Sequence, residues 1–314
     1  MPARRLAALG CVLLTVAGLV TGCGGGASTP TRTAVLDESA ATTETGTDTT
    51  STEGAETTSV TATTPTATAS TVVHQTQELT PIPVSATGTV RVPILMYHRV
   101  ADPAPIKSEG ERRLNVSPQD FAKQMDWLVA NGYRTVTQSQ LYDALATGTA
   151  LPKRPVLLTF DDGYIDISKT VLPILRKRKM VATAYVITDR VTGSDRAFMK
   201  FKALRRIEAG GIEVGSHTAS HSDLTSLSES GLRNELAGSR RVLEKGLGHP
   251  VQWLCYPAGR FDSRVEAMAR ETGYVTAVTT EPGVSHSASR PYALSRVRIS
   301  DSTGVSGLRA ALTG

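Results

Sequence analysis

Two carboxylates stand side by side in "TFDDGY" (159–164), directly behind the apolar run "PVLL". Like charges at that spacing repel, and the end of a buried strand is a poor place to solvate both. Two histidines, His217 and His221, follow in "SHTASH". His98 ends a further apolar run, "VPILMYH", and "YPAG" follows another, "VQWLC". His217, His221 and one aspartate of the pair make a two-histidine, one-carboxylate set. Such a set holds a divalent ion on one face and leaves positions open for water and a substrate oxygen. The other aspartate then lies beside that water, where a general base sits. One carboxylate is neutralised by a cation and its neighbour is poised to take a proton. His74, His249 and His286 carry no assignment. Cys255 reads as a small buried apolar residue.

These motifs act together only if the fold brings them together. The segment 92–98 reads as a strand. Ser117 as N-cap, Pro118 at the first helical position and Gly132 as terminator bound a helix whose apolar face is Phe121, Met125, Leu128 and Val129. Residues 137–148 read as a second helix. Beyond them strands ("PVLLTF", "MVATAYVI", "IEVGSH", "VQWLCYP", "YVTAVTT") alternate with helical stretches. Strands apolar along their whole length, each followed by a helix, predict an α/β fold with a parallel sheet under helices. So many repeats in about 225 residues predict closure into a barrel, with the site at the carboxyl ends of the strands.

The chain opens "MPARRLAALGCVLLTVAGLVTGC". Arg4 and Arg5 form a basic start. The apolar stretch Leu6–Val20 has signal-peptide length and is too short to span a bilayer comfortably. Val20-Thr21-Gly22-Cys23 resembles a bacterial lipobox, which gives a signal peptide at 1–22 and a lipid on Cys23. The segment 23–88 is rich in Thr, Ala, Ser, Gly and Glu, buries too little to fold, and reads as a disordered tether. Residues 89–314 are left as one folded domain. The net charge of +5 does not argue for nucleic acid. Cys11 leaves with the leader and Cys23 takes the lipid, so Cys255 has no partner for a disulfide.

"TFDDGY", "SHTASH" and "YPAG", in this order across residues 92–300, resemble the polysaccharide deacetylases, the NodB-homology carbohydrate esterases of family 4. The resemblance implies a distorted (β/α) barrel that removes N- or O-acetyl groups from sugars with a divalent metal, commonly zinc. Two histidines and an aspartate also accept cobalt, nickel or iron. It implies Asp161 as catalytic base and Asp162, His217 and His221 as metal ligands. Tyr256, Pro257 and Ala258 match the substrate side, with the backbone N–H at Ala258 as oxyanion contact. No Leu-x-His motif follows residue 260, while "ILMYH" stands at the front. This looks like the circularly permuted branch that includes poly-N-acetylglucosamine deacetylases, with His98 as the acid. Cys255 stands where the family places an arginine that tethers the base; Arg296 or Arg298 of "LSRVRIS" could reach in instead, or both could be surface residues.

The implied partners are an acetylated polysaccharide (peptidoglycan, poly-N-acetylglucosamine, a chitin-like polymer or xylan) and a membrane, through Cys23. The implied place is outside the cytoplasm, lipid-anchored to a bacterial cell membrane. An O-acetyl esterase and a catalytically idle carbohydrate-binding lipoprotein stay open beside the N-deacetylase. So does a wall-spacing protein. A non-haem iron oxygenase shares the ligand set, but the alternating α/β pattern argues against it.

Overall fold

Strands that are apolar at every position need cover on both faces, and closure into a barrel provides it. The computed structural model describes residues 79–82, 88–102 and 108–313, all within one unit, Pro65–Gly314. The expected leader, Cys23 and nearly all of the tether lie outside the described residues. No helix among the described residues is long and apolar enough to cross a membrane.

Seven parallel strands close a distorted (β/α) barrel: β1 (Ile94–Tyr97), β2 (Pro155–Phe160), β3 (Ala182–Val186), β4 (Ile212–Ser216), β5 (Trp253–Cys255), β6 (Thr276–Pro282) and β7 (Leu294–Arg298). Their spatial order is β1-β7-β6-β5-β4-β3-β2, returning to β1. The first strand is therefore the closing one. Leu95 lies opposite Val297 on one side, and Ile94 lies opposite Leu157 on the other. The distortion has a clear origin. The first half of β2 pairs with an extra strand, Arg134–Val136, and only its second half pairs with β3.

Alternation along the strands sorts their side chains. Leu158 and Phe160 lie in one cluster with Leu95, Tyr97, Ala184 and Val214. Leu157 lies in another, with Ile94, Tyr185, Trp253, Cys255 and Leu294. Thr159 and Asp161 follow Leu157 at steps of two, and Arg296 follows Leu294. The same alternation that fills the barrel thus delivers Asp161 and Arg296 to its inner face.

The helices follow their local signals, with one correction. Ser117 accepts from Asp120 N–H at 3.0 Å, and Thr137 forms a capping box with Gln140. Val129, expected on the buried face of Pro118–Ala130, is 41% exposed; Gln124 is buried instead and accepts from Tyr97 Oη at 2.9 Å. A polar residue that satisfies a buried hydroxyl is invisible to a hydrophobic pattern.

The fold also begins earlier than expected. Leu79 and Ile82, read as tether, pack on the barrel. Leu79 exchanges backbone hydrogen bonds with the Gln252 side chain at 2.8 and 2.9 Å, Tyr142 Oη donates to Thr80 O at 2.5 Å, and Ile82 is buried. Burying one such isoleucine contributes about 1.5–3 kcal/mol. A chain starting at residue 89 should therefore melt roughly 4–10 °C below one starting at residue 79, by calorimetry. Equal melting temperatures would show that Leu79–Ile82 is not part of the folded unit.

Candidate active site

Parallel strands open their carboxyl ends at one mouth of the barrel, and each motif singled out above sits there. His98 follows β1, Asp161 and Asp162 follow β2, His217 follows β4, and the Tyr256–Gly259 turn follows β5.

Asp161 is 2% exposed and Arg296 1%. Arg296 reaches across from β7. Its Nη1 donates to Asp161 Oδ1 and its Nη2 to Oδ2, both at 2.8 Å. Nε donates to Thr279 O at 2.7 Å, Nη1 also to Thr159 Oγ1 at 3.2 Å, and Nη2 to Cys255 Sγ at 3.2 Å. Burial pushes the Asp161 carboxyl up. The charge and hydrogen bonds of Arg296, helped by His98 and His217, outweigh burial and hold it well below the usual carboxylate range. Of the two arginines considered in "LSRVRIS", Arg296 makes this contact and Arg298 is exposed. Cys255 leaves the guanidinium room. Burial pushes its thiol up, so it stays protonated.

Asp162 is oriented differently. Its backbone is left-handed, with φ 71°. Its Oδ1 lies 3.6 Å from His217 Nε2 and 3.8 Å from His221 Nε2. His217 Nδ1 lies 2.8 Å from Cys255 O. A carbonyl only accepts, so Nδ1 carries the proton and Nε2 turns a lone pair toward Asp162. Burial lowers the pKa of both histidines and keeps them neutral, the form a metal needs. Burial raises Asp162, and His217 partly offsets this. Metal bonds of about 2.0–2.2 Å to one centre put neighbouring donors roughly 3–3.6 Å apart, so a small inward shift of His221 lets this trio hold a divalent ion. Asp161, His217 and Cys255 are also mutually close. In that group both carboxylate oxygens already serve Arg296 and the sulfur keeps its proton, so it fits an ion poorly.

His98 is nearly buried, with Nε2 3.9 Å from Asp161 Oδ2, longer than a hydrogen bond. Its Nδ1 is buried without a partner. Burial brings its pKa down to about 4, against the pull of Asp161, so it is neutral at pH 7. Asp166 fixes the chain just beyond it by accepting from Val100 N–H at 2.6 Å. Sequence reading passed over Asp166; the signal was a third carboxylate five residues after Asp161.

The turn after β5 supplies backbone. Tyr256 N–H donates to Val278 O, Gly259 N–H to Tyr256 O and Arg260 N–H to Pro257 O, while Pro257 has none to give. Exposed Ala258 is the residue of this turn whose N–H can face a ligand. Gly259 is needed here: its φ is +71°, and a Cβ would lie 2.5 Å from Thr280 N. Tyr256 itself, expected on the substrate side, is fully buried. Its ring stacks on Phe261 at 4.8 Å within a core cluster. Asp162, Thr218, His221 and Ala258 make four of the six non-glycine residues with positive φ among the described residues. Strain of that kind gathers where geometry is held for a purpose.

The profile of the polysaccharide deacetylase family matches residues 148–277. The Bacillus subtilis protein YxkH, named for that family, is 31% identical over 235 residues, 75% of this chain and 80% of its own length. The chain belongs to the polysaccharide deacetylase family. Members of this family are hydrolases. The poly-β-1,6-N-acetyl-D-glucosamine N-deacetylase of Staphylococcus epidermidis is 25% identical over 197 residues, 56% of this chain and 68% of that protein. The Streptococcus pyogenes deacetylase PplD, solved with acetate, superposes with a TM-score of 0.68 at 29% identity, covering 72% of this chain and all of PplD. The profile match on this deacetylase-family chain takes in Asp161, Asp162, His217 and His221.

Two outcomes follow. Arg296→Ala leaves a buried carboxylate unpaired and should cost about 3–5 kcal/mol in urea unfolding; a loss under 1 kcal/mol would mean that the pair does not hold the site. The second concerns pH. His98 titrates near 4 when folded against 6.5 when free, so its contribution is complete above pH 6.5 and is lost as pH falls toward 4. With chelator present, His98→Asn should flatten the fall in stability across that window. Asp162 and Glu213, whose carboxyls burial raises, titrate in both proteins and cancel in the comparison. Parallel stability curves would show that His98 is not held neutral.

Proposed function

We propose that this chain is a metal-dependent hydrolase that removes acetyl groups, N-acetyl groups of N-acetylglucosamine units above all, from a cell-wall or extracellular polysaccharide. The observation that carries it is the division of labour between adjacent carboxylates: Asp161 is locked by Arg296, while Asp162 faces two neutral histidines. The names of YxkH and the staphylococcal enzyme support the same substrate class.

Asp162, His217 and His221 would hold the ion, zinc first among the candidates. Bound there, it supplies Lewis acidity, polarising the acetyl carbonyl and acidifying the attacking water. Asp161 takes the proton from that water, and Arg296 keeps it ionised and aimed. Ala258 N–H donates to the oxygen that gathers charge as the carbonyl carbon becomes tetrahedral. His98 is neutral at rest. Negative charge growing beside it raises its hold on a proton, so it takes up the one that Asp161, 3.9 Å away, removed from the water, and passes it to the departing amine as the C–N bond breaks. Water adds to the acetyl carbon, and the products are acetate and a free amine. The idle binding module drew its force from the arginine missing at position 255. Arg296 supplies that guanidinium from another strand.

The basic n-region, the apolar stretch and Cys23 support an extracytoplasmic place, lipid-anchored to a bacterial cell membrane, with the tether reaching into a wall polymer.

The test is acetate release by the full-length chain from N-acetylglucosamine oligomers and from purified peptidoglycan, with zinc or cobalt present or chelated. Asp161→Asn should lower turnover by about 10²–10⁴ and leave one metal bound. His98→Ala should slow the amide by about 10²–10³ and an acetate ester far less, because an alkoxide leaves more easily than an amide nitrogen. Turnover by Asp161→Asn near that of the wild type would sink the assignment. Activity on esters alone would move the reading to an O-acetyl esterase.

A further inference from the structure

The loop between the two histidines is short, strained and held from below. Thr218 and His221 both adopt left-handed backbone, with φ 67° and 70°. Side chains strain such a backbone, so the conformation persists only where neighbours impose it. Every backbone N–H from Thr218 to His221 is taken by a side chain. Thr218 N–H donates to Ser216 Oγ at 3.1 Å, and His221 N–H to Thr218 Oγ1 at 3.2 Å. The middle two reach outside the loop: Ala219 N–H donates to Glu235 Oε2 at 3.0 Å and Ser220 N–H to the same oxygen at 2.9 Å. Ser220 Oγ donates to Glu235 Oε1 at 2.6 Å.

Glu235 sits in a widened π-helical turn, Asn234–Gly238, between Glu229–Arg233 and Ser239–Leu247. Such a turn inserts a residue into the helix and re-aims the side chains around it. One helical turn on, Ser239 Oγ accepts from Ser216 Oγ at 2.9 Å and donates to Glu235 O at 2.7 Å. One helix surface therefore fixes the loop at two points: Ser239 at its start through Ser216, and Glu235 at its middle.

We propose that Glu235 is a positioning residue for the metal site. Its carboxylate holds Ala219 and Ser220 so that His221, the most exposed of the three ligands, stays within reach of His217 and Asp162. The role rests on the metal reading above but not on the reaction. Nothing in it requires the negative charge as such. A glutamine side chain accepts both N–H bonds through its oxygen and can donate its amide to Ser220 Oγ.

The experiment is zinc titration of the metal-free full-length chain by calorimetry, with cobalt absorption spectra as the geometric readout. Wild type, Glu235→Ala, Glu235→Gln and Ser220→Ala are compared, and the melting temperature of each apo protein is recorded. Glu235→Ala should weaken zinc binding about 10–100-fold and change the cobalt spectrum, as losses around a ligand shell do. Glu235→Gln should restore most of both. Ser220→Ala, which removes one of the three bonds and keeps the fold, should fall between. Wild-type affinity and an unchanged spectrum in Glu235→Ala would overturn the proposal. So would a Glu235→Gln protein as weak as Glu235→Ala at equal melting temperature. If the wild type itself binds no zinc or cobalt, the metal reading fails and the role of Glu235 fails with it; weakened binding confined to the variants separates the two.

Discussion

The fork of Arg296 on Asp161 is the constraint from which the rest of the barrel mouth follows. A carboxylate 2% exposed is costly unless paired and hydrogen-bonded. Arg296 meets that condition with two bonds of 2.8 Å, and its remaining donors are spent on Thr279, Thr159 and Cys255. Strands β2, β5, β6 and β7 are therefore tied to one guanidinium. With both oxygens of Asp161 engaged, Asp162 is left to meet the histidines, and adjacent identical residues acquire different chemistry. The left-handed backbone of Asp162 is the local means, turning its side chain away from its neighbour's.

What was legible in the sequence was whatever had a short-range signature. The strand ends, the cap at Ser117 and the paired histidines could each be read within a few residues. The long apolar strands announced burial on both faces and hence the parallel barrel. Less legible were elements whose character comes from distant partners. The strand Leu294–Arg298 carries two arginines, and the sequence left open which of them turns inward. Only the opposing Asp161, 135 residues away, makes Arg296 an interior residue. Arg134–Val136 is too short to show a period, and exists because β2 has a free half-edge to offer. The C-terminal helix Gly304–Thr313 buries only Leu308 and Leu312 on its apolar side.

The same logic covers the individual residues that sequence reading misplaced or passed over. Tyr256 belongs to a motif expected to face substrate, yet its ring turns inward, because a residue at a strand's end can present backbone to the mouth and side chain to the core. Asp166 and Gln124 act on backbone or hydroxyl groups that only the tertiary fold brings near. Leu79–Ile82 sits in a stretch whose composition says tether, and four residues are too few to alter a composition. Residue types disclosed the chemistry of the mouth. The partners that hold those residues in place were set by topology.

The closing position of β1 governs the order in which the site can come into being. A chain made from its amino terminus delivers His98 before any of its partners. Yet β1 has a place only once β2 and β7 exist to flank it, and β7 lies about two hundred residues downstream. Pairings of such sequence separation are the slow ones in folding. His98 and the guanidinium of Arg296 thus wait for the same final closure. Until the last strand arrives there is neither a wall beside His98 nor a counter-ion for Asp161, so an incomplete chain carries the motifs without the chemistry.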